Sequence, residues 1–541
     1  MKRFGLKKII VFYFFFVILY GIVASTFTST VHIDVDEQLY LSMARSFHYE
    51  GRFAVGDTVL NYSCILYSML ISLAYFFYSP EHILFVMRLI GVITMTSAIF
   101  PLWLLSKELL KEERTSFYVT IFSMFFPFMF DTAYLMQEVL AYPLFLWAIL
   151  FLLYALEKNK MCHFVLSALF SVLCFFTKTY LFFIPIVANF VLWPEIILDR
   201  NKNTNIKKVK GIMVYNITYV VAFAMLYVFP YILHGFEKGS NHYSSQFSGL
   251  FPITGVTIAC AISCSILYMA FFIVNTGILP FAALIKKQKE SFDGERKFWN
   301  FIWISVVFLI LEIVVMIVLT EEGNVLMPHK YLFRYFQIFS VPMLLALLSV
   351  DRQKKEWLNK TQIIMIFTAG VITSLYWLIM CGKTSHGIID GYFFVALENM
   401  NRIIPYAAAV AIVLFILSII FVRKRKNLYR ILAIIIVMGF WLLNIVQLPY
   451  YTNIIAGGKN IEQDALEIAK YANESKASAI YFVKRESASP YLQNCYGYFV
   501  QPFIVISEEQ LAEYADKENS VIITPDAEGN KLLLYHKSNG R

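Results

Sequence analysis

Six charged side chains stand out against an otherwise apolar chain: Asp36, Glu37, Arg88, Glu138, Lys178 and Arg334. A carboxylate among them can take a proton from an attacking hydroxyl, and lysine and arginine can stabilise charge developing on a phosphate leaving group. Asp36 and Glu37 lie in the segment His32-Ile33-Asp34-Val35-Asp36-Glu37-Gln38-Leu39-Tyr40, which continues to Gly51. Leu39, Met43 and Phe47 recur every four residues and predict one apolar helical stripe. Asp34 and Glu37 have capping-box spacing and Gly51 is a natural helix stop, so capping of a surface helix accounts for two of the acids without chemistry. Asp36 is left with no task beyond favouring the helix dipole. Arg88, Glu138, Lys178 and Arg334 each fall near the end of a different predicted helix. Snorkelling explains any one of them. Four on one side, beside an acidic loop, read as a lined cleft. Glu312 lies deeper in its helix, with no partner evident in the sequence.

The elements that position these residues are membrane spans. Of 541 residues, 59% are hydrophobic and 15% charged, and the apolar residues come in blocks of the length that a hydrocarbon layer of about 30 Å requires. Thirteen spans are predicted, near 9–31, 84–106, 115–131, 139–157, 163–178, 181–198, 211–233, 254–285, 298–320, 336–350, 361–381, 403–422 and 431–450. The first, behind a basic N-terminus, is long enough to be a retained helix rather than a cleaved signal. If the spans alternate, 28 of the 46 Lys and Arg residues fall on the side of the N-terminus, nine on the opposite membrane-proximal regions and nine in the C-terminal tail. That asymmetry places the N-terminus in the cytoplasm and the tail outside. Tyr62 to Tyr78 is apolar enough to span, but counting it breaks the charge pattern, so it is read as a helix lying on or dipping into the outer surface. The expected fold is an all-α polytopic membrane module over 1–451, with its first exoplasmic loop at 32–83 carrying amphipathic juxtamembrane helices. A small α/β domain follows over 452–541, with strands at Ala479 to Val483, Phe503 to Ser507, Ser520 to Thr524 and Lys531 to Tyr535 and helices near 461–475 and 508–516.

Several function classes are excluded or weakened. The net charge of +9 sits in short clusters between apolar blocks and sets topology, so no nucleic-acid partner is expected. The seven cysteines have no metal-ligand spacing, and Cys260 and Cys264 read as packing residues. The chain has no GxxxxGK[ST], GxSxG or HExxH pattern. A synthetic enzyme working outside the cytoplasm, without ATP or nucleotide sugars, needs an activated donor carried in the membrane. A sugar on a polyprenyl phosphate meets that need, with Asp36 as candidate base.

The motif Asp36-Glu37-x-x-Tyr40-x-x-x-Ala44, ending at Gly51, resembles the first-loop acidic motif of GT-C glycosyltransferases. The resemblance is to the group of protein O-mannosyltransferases (family 39) and lipid A aminoarabinose transferases. Further elements match in order over about 1–345. Arg88 opens the second span, Glu138 precedes Tyr142-Pro143-Leu144, Phe176-Thr177-Lys178 ends the fifth span, and Arg334-Tyr335 is followed by Pro342. Asp131 competes with Glu138 as the second-loop acid. The absence of a β-trefoil insertion argues against the eukaryotic branch, and the tail matches nothing named.

The resemblance implies an inverting glycosyltransferase that uses a polyprenyl-phosphate sugar donor and a glycan, lipid or protein acceptor on the exoplasmic face of a bacterial plasma membrane. It implies catalytic roles for Asp36, Glu37 and Glu138, and donor-phosphate binding by Arg88, Lys178, Arg334, Tyr335, Lys330 and His329. No metal and no other cofactor are expected. The competing readings are a transporter or flippase of lipid-linked glycans and a non-catalytic envelope assembly subunit.

Overall fold

The computed structural model describes residues 2–25, 35–55, 58–60, 63–77, 79–198, 202–233, 254–275, 293–316 and 333–349, the C-terminal strands, and single positions between and after these. The predicted spans at 403–422 and 431–450 lie outside the described residues, as do nearly all of 361–381, Asp34, His329 and Lys330.

The chain folds as α1 (Lys2–Ser25), α2 (Val35–Glu50), a hairpin of β1 (Ala54–Val55) and β2 (Thr58–Val59), α3 (Leu66–Ile71) with a 3-10 turn (Ser72–Phe76), α4 (Pro80–Thr96), α5 (Ile99–Leu110) and α6 (Glu113–Ser123). A 3-10 segment (Pro127–Ala133) leads to α7 (Glu138–Lys158), α8 (Met161–Thr177), a short 3-10 turn (Thr179–Phe182), α9 (Phe183–Leu198) and α10 (Lys202–Leu233). Then come α11 (Gly255–Asn275), α12 (Asp293–Val314), a 3-10 segment (Phe333–Phe339) and α13 (Ser340–Leu348).

Five of the described helices are long and apolar enough to cross a membrane: Gly5–Ser25, His82–Leu110, Glu138–Lys158, Ile206–Leu233 and Gly294–Val314. Shorter apolar helices fill the positions of further predicted spans, including Met161–Thr177, Thr179–Trp193 and Gly255–Ala270. This is a multi-pass membrane protein. The predicted span 115–131 is a departure: α6 stops at Ser123, and the chain resumes at Pro127 as a separate 3-10 segment. Phe126, ahead of that proline, is extended, as the steric demand of the ring requires.

Helix α7 is the hub, packing against α4, α5, α8 and α12. Its buried face includes Val139, Phe145, Leu146, Ile149 and Leu153. In lipid there is no hydrophobic drive between helices, so close packing and polar contacts hold them together. Ser167 donates to the Ala148 carbonyl at 3.1 Å, and the amides of Asn189 and Asn216 exchange hydrogen bonds of 2.8 and 2.9 Å between α9 and α10. Gly211 lets α10 approach α8, since a Cβ there would stand 2.5 Å from the Phe164 ring.

The first loop is a layer on one end of the bundle. Leu39 and Met43 are buried and Phe47 stacks on Phe53 at 4.9 Å, so the four-residue stripe faces inward as its spacing predicts. Gly51 ends α2 with φ +65°, a conformation that an L side chain resists. Leu66–Phe76 spans 11 residues, about 16 Å of helix, roughly half of the hydrocarbon thickness. It buries Tyr67, Ile71 and Tyr75 and exposes Leu73 and Phe76, with Phe77 beyond it, so it is not a span. Tyr75 donates to the Leu41 carbonyl and Tyr49 to the Tyr75 carbonyl, both at 3.2 Å, stitching this segment to α2.

The tail forms a four-stranded sheet of β3 (Ala479–Lys484), β4 (Phe503–Ser507), β5 (Ser520–Pro525) and β6 (Leu532–Lys537) in the order β4-β3-β5-β6. β3 is parallel to both neighbours and β6 runs antiparallel to β5. Ile480 pairs with Val521 and Phe482 with Ile523 on one face, Tyr481 with Ile522 and Val483 with Ile506 on the other, and all eight are buried. Burial on both faces is what a mainly parallel sheet demands.

Candidate active site

Four elements meet where the first loop lies over the bundle. Asp36 and Glu37 are in the first turn of α2, Glu138 opens α7, Lys178 caps the end of α8, and Arg334 sits in the 3-10 segment before α13. Lys178 leaves helical geometry, with φ −148° and ψ 118°, which turns the chain from α8 into the next short turn.

The side chains form a chain of alternating charge. Arg334 Nη2 donates to Asp36 Oδ2 at 3.5 Å, Arg334 Nε stands 3.9 Å from Glu138 Oε1, and Lys178 Nζ stands 3.1 Å from the same oxygen. The outer end is open: the Asp36 side chain is 33% exposed, against 12% for Arg334, 9% for Lys178 and 6% for Glu138. Asp36 is therefore the carboxylate that a substrate can reach, and Glu138 the one that holds the two cations. The acid that contacts Lys178 and Arg334 is Glu138; Asp131 is buried in the preceding 3-10 segment.

Aromatic rings wall this array. The Tyr180 and Tyr335 rings lie 4.5 Å apart, and the Arg334 guanidinium stands 5.3 Å from the Tyr335 centroid. Tyr40 meets Tyr67 edge to face at 5.8 Å. Behind them, Tyr67 is fully buried with Glu37, Glu138 and Arg88 in electrostatic reach. Burial pushes its phenol well above the usual range, the two carboxylates add to the rise and Arg88 opposes it, so Tyr67 stays protonated.

Glu37 has a tertiary partner that its spacing in the sequence does not announce. It is wholly buried, and its Oε1 accepts the Leu135 amide at 2.5 Å. Arg88 is also buried, on the inner side near Tyr67. Glu312 Oε2 is buried without a hydrogen-bond partner among the described residues. Among those residues no three His, Cys, Asp or Glu side chains converge as metal ligands would. Sequence reasoning passed over Gln137 and Tyr67. Gln137 Nε2 donates to the Cys64 carbonyl at 3.1 Å, and its only signal was a neutral polar residue next to Glu138.

No protein-family model matches the sequence, and no curated protein matches it either. Solved structures do. ArnT from Cupriavidus metallidurans bound to undecaprenyl phosphate aligns over 96% of this chain and 93% of that chain, with a TM-score of 0.52 and 13% identity. The apo form of the same protein aligns over 94% and 93% at 13% identity, with a TM-score of 0.49. Similarity at this identity is a similarity of fold, and it runs along nearly the whole molecule: the chain has an ArnT-like membrane fold.

Proposed function

We propose that this protein is an inverting glycosyltransferase that moves a sugar from a polyprenyl-phosphate donor to an acceptor hydroxyl on the exoplasmic face of the membrane. The observation that carries the reading is the run Asp36–Arg334–Glu138–Lys178, an accessible carboxylate backed by two cations that a buried acid holds in place. The undecaprenyl phosphate in the ArnT structure supports a lipid phosphate as the leaving group here.

In this mechanism the acceptor oxygen attacks the anomeric carbon and its proton passes to Asp36. The bond from that carbon to the phosphate oxygen breaks, and the electron pair leaves with the polyprenyl phosphate. Arg334 and Lys178 stabilise the growing phosphate charge, which is worth most in a site screened from water. A phosphate at Arg334 competes with Asp36 for the guanidinium. Because that contact lies at the exposed end, with the Asp36 side chain 33% exposed against 9% and 6% for Lys178 and Glu138, donor binding frees the base without dismantling the buried pair. Arg88, Tyr335, His329 and Lys330 are assigned to the phosphate end, and no metal is given a role.

The test is a panel of lipid-linked sugars supplied to the purified protein, with the product identified by mass. Asp36→Asn keeps shape and removes the base, and transfer should fall by about 10²–10⁴-fold. Unchanged turnover removes Asp36 from the chemistry. Transport of intact lipid-linked glycan without a new glycosidic bond would favour a flippase.

A further inference from the structure

We infer that Gln137 and Glu37 form a reciprocal latch that sets the spacing of the two acids, and that both are positioning residues; the inference rests on the transferase reading above. Each neighbours one acid and grips backbone on the other side of the array: the stretch leading to Glu138, or the first loop that carries Asp36. Glu37, next to Asp36, accepts the amide of Leu135, three residues before Glu138. Gln137, next to Glu138, donates to the carbonyl of Cys64 in the first loop. The Cys64 thiol in turn points at the Phe175 carbonyl at 3.8 Å, three residues before Lys178. Three segments that bear charge are thus tied through the side chains of Glu37, Gln137 and Cys64.

Burial gives the latch its stiffness. Glu37 and Gln137 are both 0% exposed, and Cys64 is 1% exposed, so water does not compete for these bonds. A buried donor or acceptor that loses its partner carries its full desolvation cost, which favours the closed geometry. The catalytic demand is positional: a reacting group misplaced by about 1 Å loses about 10²-fold in rate. Neither latch residue faces the open end of the array, where Asp36 is exposed. Glu37 therefore acts through the loop it holds and not on the acceptor.

The experiment uses the full-length protein in lipid nanodiscs. Gln137→Met and Glu37→Met each remove one latch bond, and each should lower kcat by about 10²-fold while the donor KM stays within about twofold. Glu37→Gln keeps an oxygen for the Leu135 amide and should recover kcat to within about fivefold of the starting protein. In an Asp36→Asn background neither methionine variant should lower the rate further, because both act through Asp36. Amide exchange supplies a reading that needs no activity: Leu135 should exchange faster in Glu37→Met and stay protected in Glu37→Gln. Where Gln137→Met fails to fold, Gln137→Leu removes the donor with a smaller apolar side chain. The proposal is overturned if Glu37→Gln is as inactive as Glu37→Met, which would make Glu37 a reacting carboxylate. Equal exchange of Leu135 in Glu37→Met and the starting protein overturns it as well. If the starting protein makes no product from any lipid-linked sugar, the transferase reading falls, and exchange at Leu135 still decides the latch.

Discussion

Lys178 and Glu138 are both nearly buried, and each makes the other tolerable. Removing one partner of such a pair typically costs 3–5 kcal/mol, because the survivor stays charged and desolvated. Arg334, 3.9 Å from the same oxygen, offsets part of that loss. Lys178→Met should therefore lower the stability of the purified protein by about 3 kcal/mol, read from its thermal unfolding. The double variant Lys178→Met with Glu138→Gln should recover most of that stability and none of the transfer. A single variant as stable as the starting protein would mean that Glu138 is satisfied by Arg334 alone. Asp36, Glu138, Lys178 and Arg334 were legible in the sequence for the reason that makes them costly: charge is rare in an apolar chain and needs a use. Gln137 was not, because its partner is a backbone carbonyl more than seventy residues away and a neutral amide costs too little to stand out. The contact of Glu37 with the Leu135 amide was hidden for a similar reason, since a backbone partner nearly a hundred residues away leaves no local pattern.

At the scale of elements, spacing and composition predicted helices and strands well where one periodicity ran unbroken. α7 and α8 lie within two residues of their predicted ends, and the four C-terminal strands coincide with their β-type runs. The break at Pro127 was lost because hydropathy sums over a window and does not register a single backbone that cannot continue a helix. Close approach of helices is likewise invisible to hydropathy. Gly211 against Phe164 is such a contact, and Gly211→Val should cost about 1–3 kcal/mol by forcing α8 and α10 apart. Adding Phe164→Ala should return part of that loss, as measured by thermal unfolding of the pair in detergent. An unaltered midpoint for Gly211→Val alone would show that the two helices slide freely.

For the whole molecule, the charge distribution predicts which ends of the helices face the cytosol. Cys162 is exposed at the start of α8, on the side assigned to the cytoplasm. With the other cysteines replaced, a membrane-impermeant maleimide should fail to label it in intact cells and should label it once the membrane is opened. Labelling from outside would invert the topology and place the Asp36 array with the nucleotides of the cytosol. The length of α10 has a consequence of its own. Its 32 residues make a rod of about 48 Å, well over the thickness of the oily layer. Lys207, Lys208 and Lys210 ride on the surplus at its first turns, at the end that the charge distribution predicts to face the cytosol. The bundle is thus moored like a pile driven deeper than its neighbours, and bilayers rich in acidic phospholipid should grip that end and fix the tilt of α10.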